Sequence, residues 1–100
     1  MTINKQSGGS ELTIILEGRL DTTTAPQLDT ELKSCLSNVK KLTMDFTKLS
    51  YISSAGLRVL LSTQKTMNRQ GTMKVIGVND TIMEVFELTG FIDILDVETL

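Results

Sequence analysis

The chain has no histidine and no tryptophan, and only one cysteine, one proline and one tyrosine among its 100 residues. Without histidine it cannot build a Ser-His-Asp triad or a Cys-His dyad, and with a single cysteine it cannot assemble a zinc site from the usual ligands. Cys35 cannot close an internal disulfide, and its apolar neighbours at helical spacing predict a buried core thiol. No apolar run reaches the roughly 20 residues that a bilayer crossing needs, and the first residues lack the apolar region of a secretory signal. The expected location is the cytosol. The formal charge is −2, so no broad basic field tracks phosphate backbones or anionic lipid, and neither nucleic acid nor a membrane is an expected partner. No glycine pattern of the Walker or dinucleotide type is present, and no cofactor is expected.

What remains is the composition of an ordinary globular domain, 40% apolar and 22% charged, long enough to fold alone as one unit spanning residues 1–100. Ile3 and the alternation Leu12, Ile14, Leu16 flank Ser7-Gly8-Gly9-Ser10 and predict a hairpin over residues 1–16. After Asp21-Thr22-Thr23, Thr24 and Gln27 have capping-box spacing and Pro26 stands in the first turn, so a helix begins there. Leu28, Leu32, Cys35, Leu36 and Val39 gather on one of its faces. Leu42, Met44 and Phe46 alternate as a strand does, and a strand-helix-strand unit of this length favours a right-handed parallel crossover.

A short loop then leads to a second helix over 54–70, with Leu57, Leu60, Leu61 and Met67 on one side, Arg58, Ser62, Lys65 and Arg69 on the other, and Gly71 at its end. Residues 73–78 read as a buried strand. Asn79 caps a third helix that Gly90 closes, and residues 92–97 add an edge strand. The sum is an α/β fold with a small mixed sheet of about five strands and three helices, without linkers, low-complexity segments or repeats.

The most distinctive segment is Asp45 to Leu61, where Ser53 and Ser54 stand at the start of the second helix ahead of Ala55-Gly56-Leu57. It resembles the STAS family, and within it the bacterial anti-anti-sigma factors, which carry aspartate-serine-small-glycine-leucine at this point. Gly18-Arg19-Leu20-Asp21 is similar to the family's glycine-x-leucine-aspartate turn, and Val85 to Phe91 to its last-helix signature. The resemblance implies the STAS fold, a serine at Ser54 that is phosphorylated by an anti-sigma factor with serine kinase activity, and a serine phosphatase that reverses the mark. It also implies a partner-binding surface of Asp21, Thr22, Thr23, Ser53, Ser54 and Arg58. Ser53 stands where phospho-switching members carry aspartate.

Local chemistry leaves other readings open. Ser53 and Ser54 have the composition of plain helix caps, Asp21 with its threonines that of a turn satisfying its own backbone, and Arg58 that of a solvated charge. Gly56 allows close approach in the first helical turn. Three functions stand side by side: a phosphorylation-switched anti-sigma factor antagonist, an unmodified STAS interaction subunit such as those of lipid-transport ATPases, and an enzyme with Ser54 as nucleophile. The last lacks a histidine base, so the expectation is a binding protein, not an enzyme.

Overall fold

The computed structural model describes residues 1–100. The chain forms β1 (Thr2–Gly8), β2 (Glu11–Leu20), α1 (Ala25–Cys35), β3 (Lys41–Ile52), α2 (Ser54–Asn68), β4 (Thr72–Val78), α3 (Asp80–Thr89), a single 3₁₀ turn (Phe91–Asp93) and β5 (Val97–Thr99). The strands lie in chain order, β1 antiparallel to β2 and the other pairs parallel. The three parallel crossovers therefore all step in the same direction. With the right-handed sense that such connections adopt, they carry α1, α2 and α3 to the same face of the sheet.

The burial pattern agrees with one covered face. Leu12, Ile14 and Leu16 of β2, Leu42, Met44 and Phe46 of β3, and Met73 and Val75 of β4 are buried, while Thr13, Ile15, Thr43, Asp45, Lys74 and Ile76 between them are half-buried. Against the covered face pack Leu28 and Leu32 from α1, Leu60 and Met67 from α2, and Ile82 and Phe86 from α3. Each such side chain contributes about 1.5–3 kcal/mol when fully withdrawn from water. The faces expected from periodicity for α1 and α2 thus form part of the core, with two adjustments on α2. Leu61 is half-buried, whereas Val59, Thr63 and Gln64 are buried, so the covered stripe is broader than four apolar residues.

Several expected boundaries shift. Helix α1 stops at Cys35, before Leu36 and Val39, which are buried in the following loop. The Gln70 side-chain amide donates to the carbonyls of Leu36 (2.7 Å) and Val39 (2.6 Å), tying the loop after α1 to the segment after α2. Cys35 is half-buried, not fully buried, and the partial loss of solvent pushes its thiol up from the ordinary range. At the other end, the expected edge strand is shifted: a 3₁₀ turn fills 91–93 and β5 runs only from Val97 to Thr99. Gly90 holds the left-handed conformation (φ 79°) that lets α3 end there.

Asn79 caps α3 as expected, accepting from the Ile82 amide at 2.8 Å, and it also donates to the Leu49 carbonyl at 3.0 Å. One side chain thereby ties the start of α3 to β3. Asn79→Ala should lower stability by about 2 kcal/mol, combining a lost cap with a carbonyl left unpaired. Asn79→Asp keeps the acceptor but loses the donor, so chemical denaturation should place it between wild type and Asn79→Ala.

Candidate functional site

Strands β2 and β3 run parallel and end together: Arg19 is in register with Tyr51 and Leu20 with Ile52. Neighbouring strands lie roughly 4.8 Å apart. The residues just past the two strands, Asp21 in one chain segment and Ser53 in the other, are thus brought side by side, and the Ser53 amide donates to the Leu20 carbonyl at 2.9 Å. This places the site at the carboxyl ends of parallel strands, where open α/β sheets commonly bind ligands.

The expected short loop before α2 is instead strand. Along β3 the pairing slips twice, between Ile15 and Glu17 and again between Gly18 and Arg19 of β2, each time adding one residue to β3. Each bulge resets the alternation, so Phe46, Leu49 and Ile52 are all buried although they lie three residues apart. Strand β3 therefore runs to Ile52, and Ser53 alone turns it into α2.

Ser53 is extended (φ −102°, ψ 176°) and its carbonyl receives the Leu57 amide at 3.0 Å, yet its hydroxyl caps nothing. That hydroxyl is buried and without a partner. The first-turn amides of α2 consequently receive no side-chain cap, and Ser54, the first helical residue, is exposed beside them. Gly56 makes this close seating feasible. A Cβ there would stand 2.7 Å from Leu20 Cγ and 2.9 Å from Ile52 Cγ1, so the glycine lets α2 press directly onto the two strand ends.

The Asp21 turn differs from the expected capping box. Thr24 is in helical conformation and its side chain makes no cap bond. Its hydroxyl donates to the Arg19 carbonyl (2.8 Å) and accepts from the Asp21 amide (2.9 Å). The helical turn is closed by Asp21, whose carboxylate accepts from the amides of Thr23 (3.0 Å) and Thr24 (3.1 Å) and, at 3.2 Å, shares the Thr24 hydroxyl proton with the Arg19 carbonyl. The Ala25 amide then bonds the Asp21 carbonyl at 2.8 Å.

These donors, the Thr24 amide foremost, hold the Asp21 carboxyl below the ordinary carboxylate range. A depressed folded-state pKa means the turn's contribution is present above the unfolded value of about 3.9 and is lost as pH falls through the lower folded value. An NMR titration should show Asp21 protonating late on acidification, with its midpoint below the ordinary carboxylate range. Asp21→Asn should remove that acid-side loss.

Thr22, Ala25, Pro26 and Asp29 from the start of α1 face Ala55, Arg58 and Val59 of α2 across a shallow groove. Arg58 is exposed there, and the nearby Asp29 is engaged by Lys33 at 2.9 Å. All six residues expected at the partner surface lie at this end of the molecule: Thr22, Thr23, Ser54 and Arg58 exposed, Asp21 and Ser53 half-buried. Two others, unnoticed in the sequence, join them. The Arg19 guanidinium lies 4.2 Å above the Tyr51 ring, and its Nε is 3.8 Å from Asp21 Oδ2. Only the second bulge aligns Arg19 with Tyr51, and no pattern in the sequence announces it.

No helix is long and apolar enough to cross a membrane. Residues 2–99 match the STAS domain family. The anti-sigma-B factor antagonist of Listeria monocytogenes is 30% identical over 100 aligned residues, covering 96% of this chain and 86% of that protein. Among solved structures, an anti-sigma factor antagonist from Mycobacterium paratuberculosis has the same fold (TM-score 0.89, 18% identity, 99% of this chain and 86% of that one). So does the phosphorylated form of the Bacillus cell fate determinant SpoIIAA (TM-score 0.76, 19% identity, 98% and 92%). The mixed five-stranded sheet with three helices, the sequence match over almost its whole length and these relatives agree: the chain belongs to the STAS domain family, on its anti-sigma factor antagonist branch.

Proposed function

We propose that this protein binds an anti-sigma factor through the 21–24 turn and the first turn of α2, and that phosphorylation of Ser54 by that anti-sigma factor, acting as a kinase, dissolves the complex until a serine phosphatase restores it. The observation that carries the reading is the setting of Ser54: exposed, first in the helix, beside amides without a side-chain cap. Ser53 is the poorer acceptor, because its hydroxyl is buried.

A phosphate at Ser54 adds about 1.5 to 2 negative charges where the helix offers unpaired N–H groups and a partial positive charge. The modification is compatible with the folded state, and SpoIIAA keeps the same fold in its phosphorylated form. What changes is the surface. The new charge stands beside Asp21, and Arg58, one helical turn along from Ser54, is drawn toward it and away from a partner. A hundredfold loss of affinity needs about 2.8 kcal/mol, and like charge pressed into a partly desolvated interface costs several.

An enzymatic reading has little to rest on. The chain has no histidine, and the Asp21 carboxylate at this end of the fold is occupied by its own turn.

The test is direct. The protein is incubated with each kinase-type anti-sigma factor of its own genome and ATP, the phosphate is mapped by mass spectrometry, and binding is measured by calorimetry before and after. Binding that is lost on modification of Ser54 supports the switch. Co-purification with a lipid-transport ATPase, no anti-sigma binding and an unmodified Ser54 would replace it with the constitutive interaction subunit.

A further inference from the structure

Asp21 is poorly placed to greet a partner. Its Oδ1 accepts from two amides and a hydroxyl, and only Oδ2 remains, facing Arg19. Arg19 is in the opposite condition. Its side chain is 61% exposed, its one carboxylate neighbour is 3.8 Å away, and the Tyr51 ring supports its flat face without using any N–H group. A guanidinium carries five donors in a planar fork, so most of them are free.

The backbone beneath is specialised. Gly18 has φ +104°, the Ser50 hydroxyl donates to the Gly18 carbonyl at 2.8 Å, and the second bulge sets Ser50 and Tyr51 together against the advance from Gly18 to Arg19. Bulges of this kind re-aim side chains beside functional sites. Arg58, on α2, is the other exposed arginine at this end. Two arginines available at one end of a chain whose net charge is −2 favour an acidic counterpart.

We propose that Arg19, preset by Tyr51, is a specificity-determining contact of the partner surface and receives a carboxylate side chain of the anti-sigma factor, while Asp21 is a positioning residue that shapes the turn and steadies Arg19. This rests on the binding function proposed above and names the chemistry of one of its contacts. Arginine stacked on an aromatic ring and forked toward a carboxylate is a pairing that lysine does not reproduce.

The experiment compares wild type, Arg19→Ala, Arg19→Lys, Arg19→Glu, Tyr51→Leu and Ser54→Asp for binding to the anti-sigma factor at two salt concentrations, with a thermal melt of each. Arg19→Ala should weaken binding by about tenfold or more, chiefly through slower association, with a shallower salt dependence and an unchanged melt. Arg19→Lys should recover only part of the loss, Tyr51→Leu should fall between, and Arg19→Glu should be worst. An Arg19→Ala affinity within twofold of wild type, while Ser54→Asp still weakens the complex, overturns the Arg19 contact and leaves the switch standing. Full rescue by Arg19→Lys overturns the stacked, forked geometry. Failure of the wild-type protein to bind any anti-sigma factor overturns both.

Discussion

Gly71→Ala should destabilise the protein by about 3 kcal/mol, at the upper end of what overpacking a close-packed site costs. For a domain of this size the melting temperature should fall by roughly 12–24 °C. The cause is backbone on backbone. A Cβ at Gly71 would stand 2.6 Å from the Lys40 carbonyl carbon and 2.8 Å from its Cα, with the carbonyl oxygen closer still. Lys40 has no freedom to retreat, since its amide is bonded to the Ser10 carbonyl (2.7 Å) and its carbonyl to the Thr72 amide (2.8 Å). The junction that seats β4 beside β3 would have to open. Because this junction lies where the parallel strands begin, and the Asp21 and Ser54 segments lie where they end, the folded fraction of Gly71→Ala should still bind the partner with wild-type affinity. Differential scanning calorimetry and binding below the melting point check the two halves; a small shift in melting temperature would mean that the 70–72 segment yields more easily than its hydrogen bonds suggest.

That glycine was legible as a helix stop, but its reason was not. Sequence periodicity reads which face a helix or strand buries, and for Leu28, Leu32, Leu60 and Met67 that reading and the structure coincide. It does not read close contacts between backbones distant along the chain. The same limit explains β3. Strict alternation ends at Phe46, so the next residues look like loop, and only pairing with β2 shows that two bulges carry the strand on to Ile52. The Arg19–Tyr51 stack was hidden for the same reason.

At the 21–24 turn the difficulty was competition among good caps. Asp21, Thr22, Thr23 and Thr24 are all capping residues, and sequence spacing favoured Thr24 because Gln27 stands three residues later. In the structure Asp21 takes the role, since an ionised carboxylate can accept two amides and a hydroxyl at once where a threonine hydroxyl accepts fewer. The serine pair was legible as the start of a helix. Which hydroxyl faces solvent was not, because that follows from how Gly56 seats α2 on Leu20 and Ile52.

Phosphorylation of Ser54 should reduce affinity for the anti-sigma factor by a hundredfold or more while leaving the fold as stable as before, or slightly more so. The two effects have opposite signs because they act on different things. Within the domain, a negative charge at a helix N-terminus is favourable by about 0.3–1 kcal/mol, and the uncapped amides of α2 are available to the phosphate oxygens. At the interface the same charge is added beside Asp21 and competes for Arg58. Ser54→Asp carries one charge and a shorter reach, so its loss of affinity should be smaller, about tenfold, and Ser54→Ala should bind within a few-fold of wild type yet resist the kinase. A melt and a binding isotherm on the same phosphorylated sample decide the matter. Lost binding with an unchanged or raised melting temperature marks a surface switch; lost binding with a markedly lowered one would mean that the phosphate acts by disrupting the seat of α2 on β2 and β3.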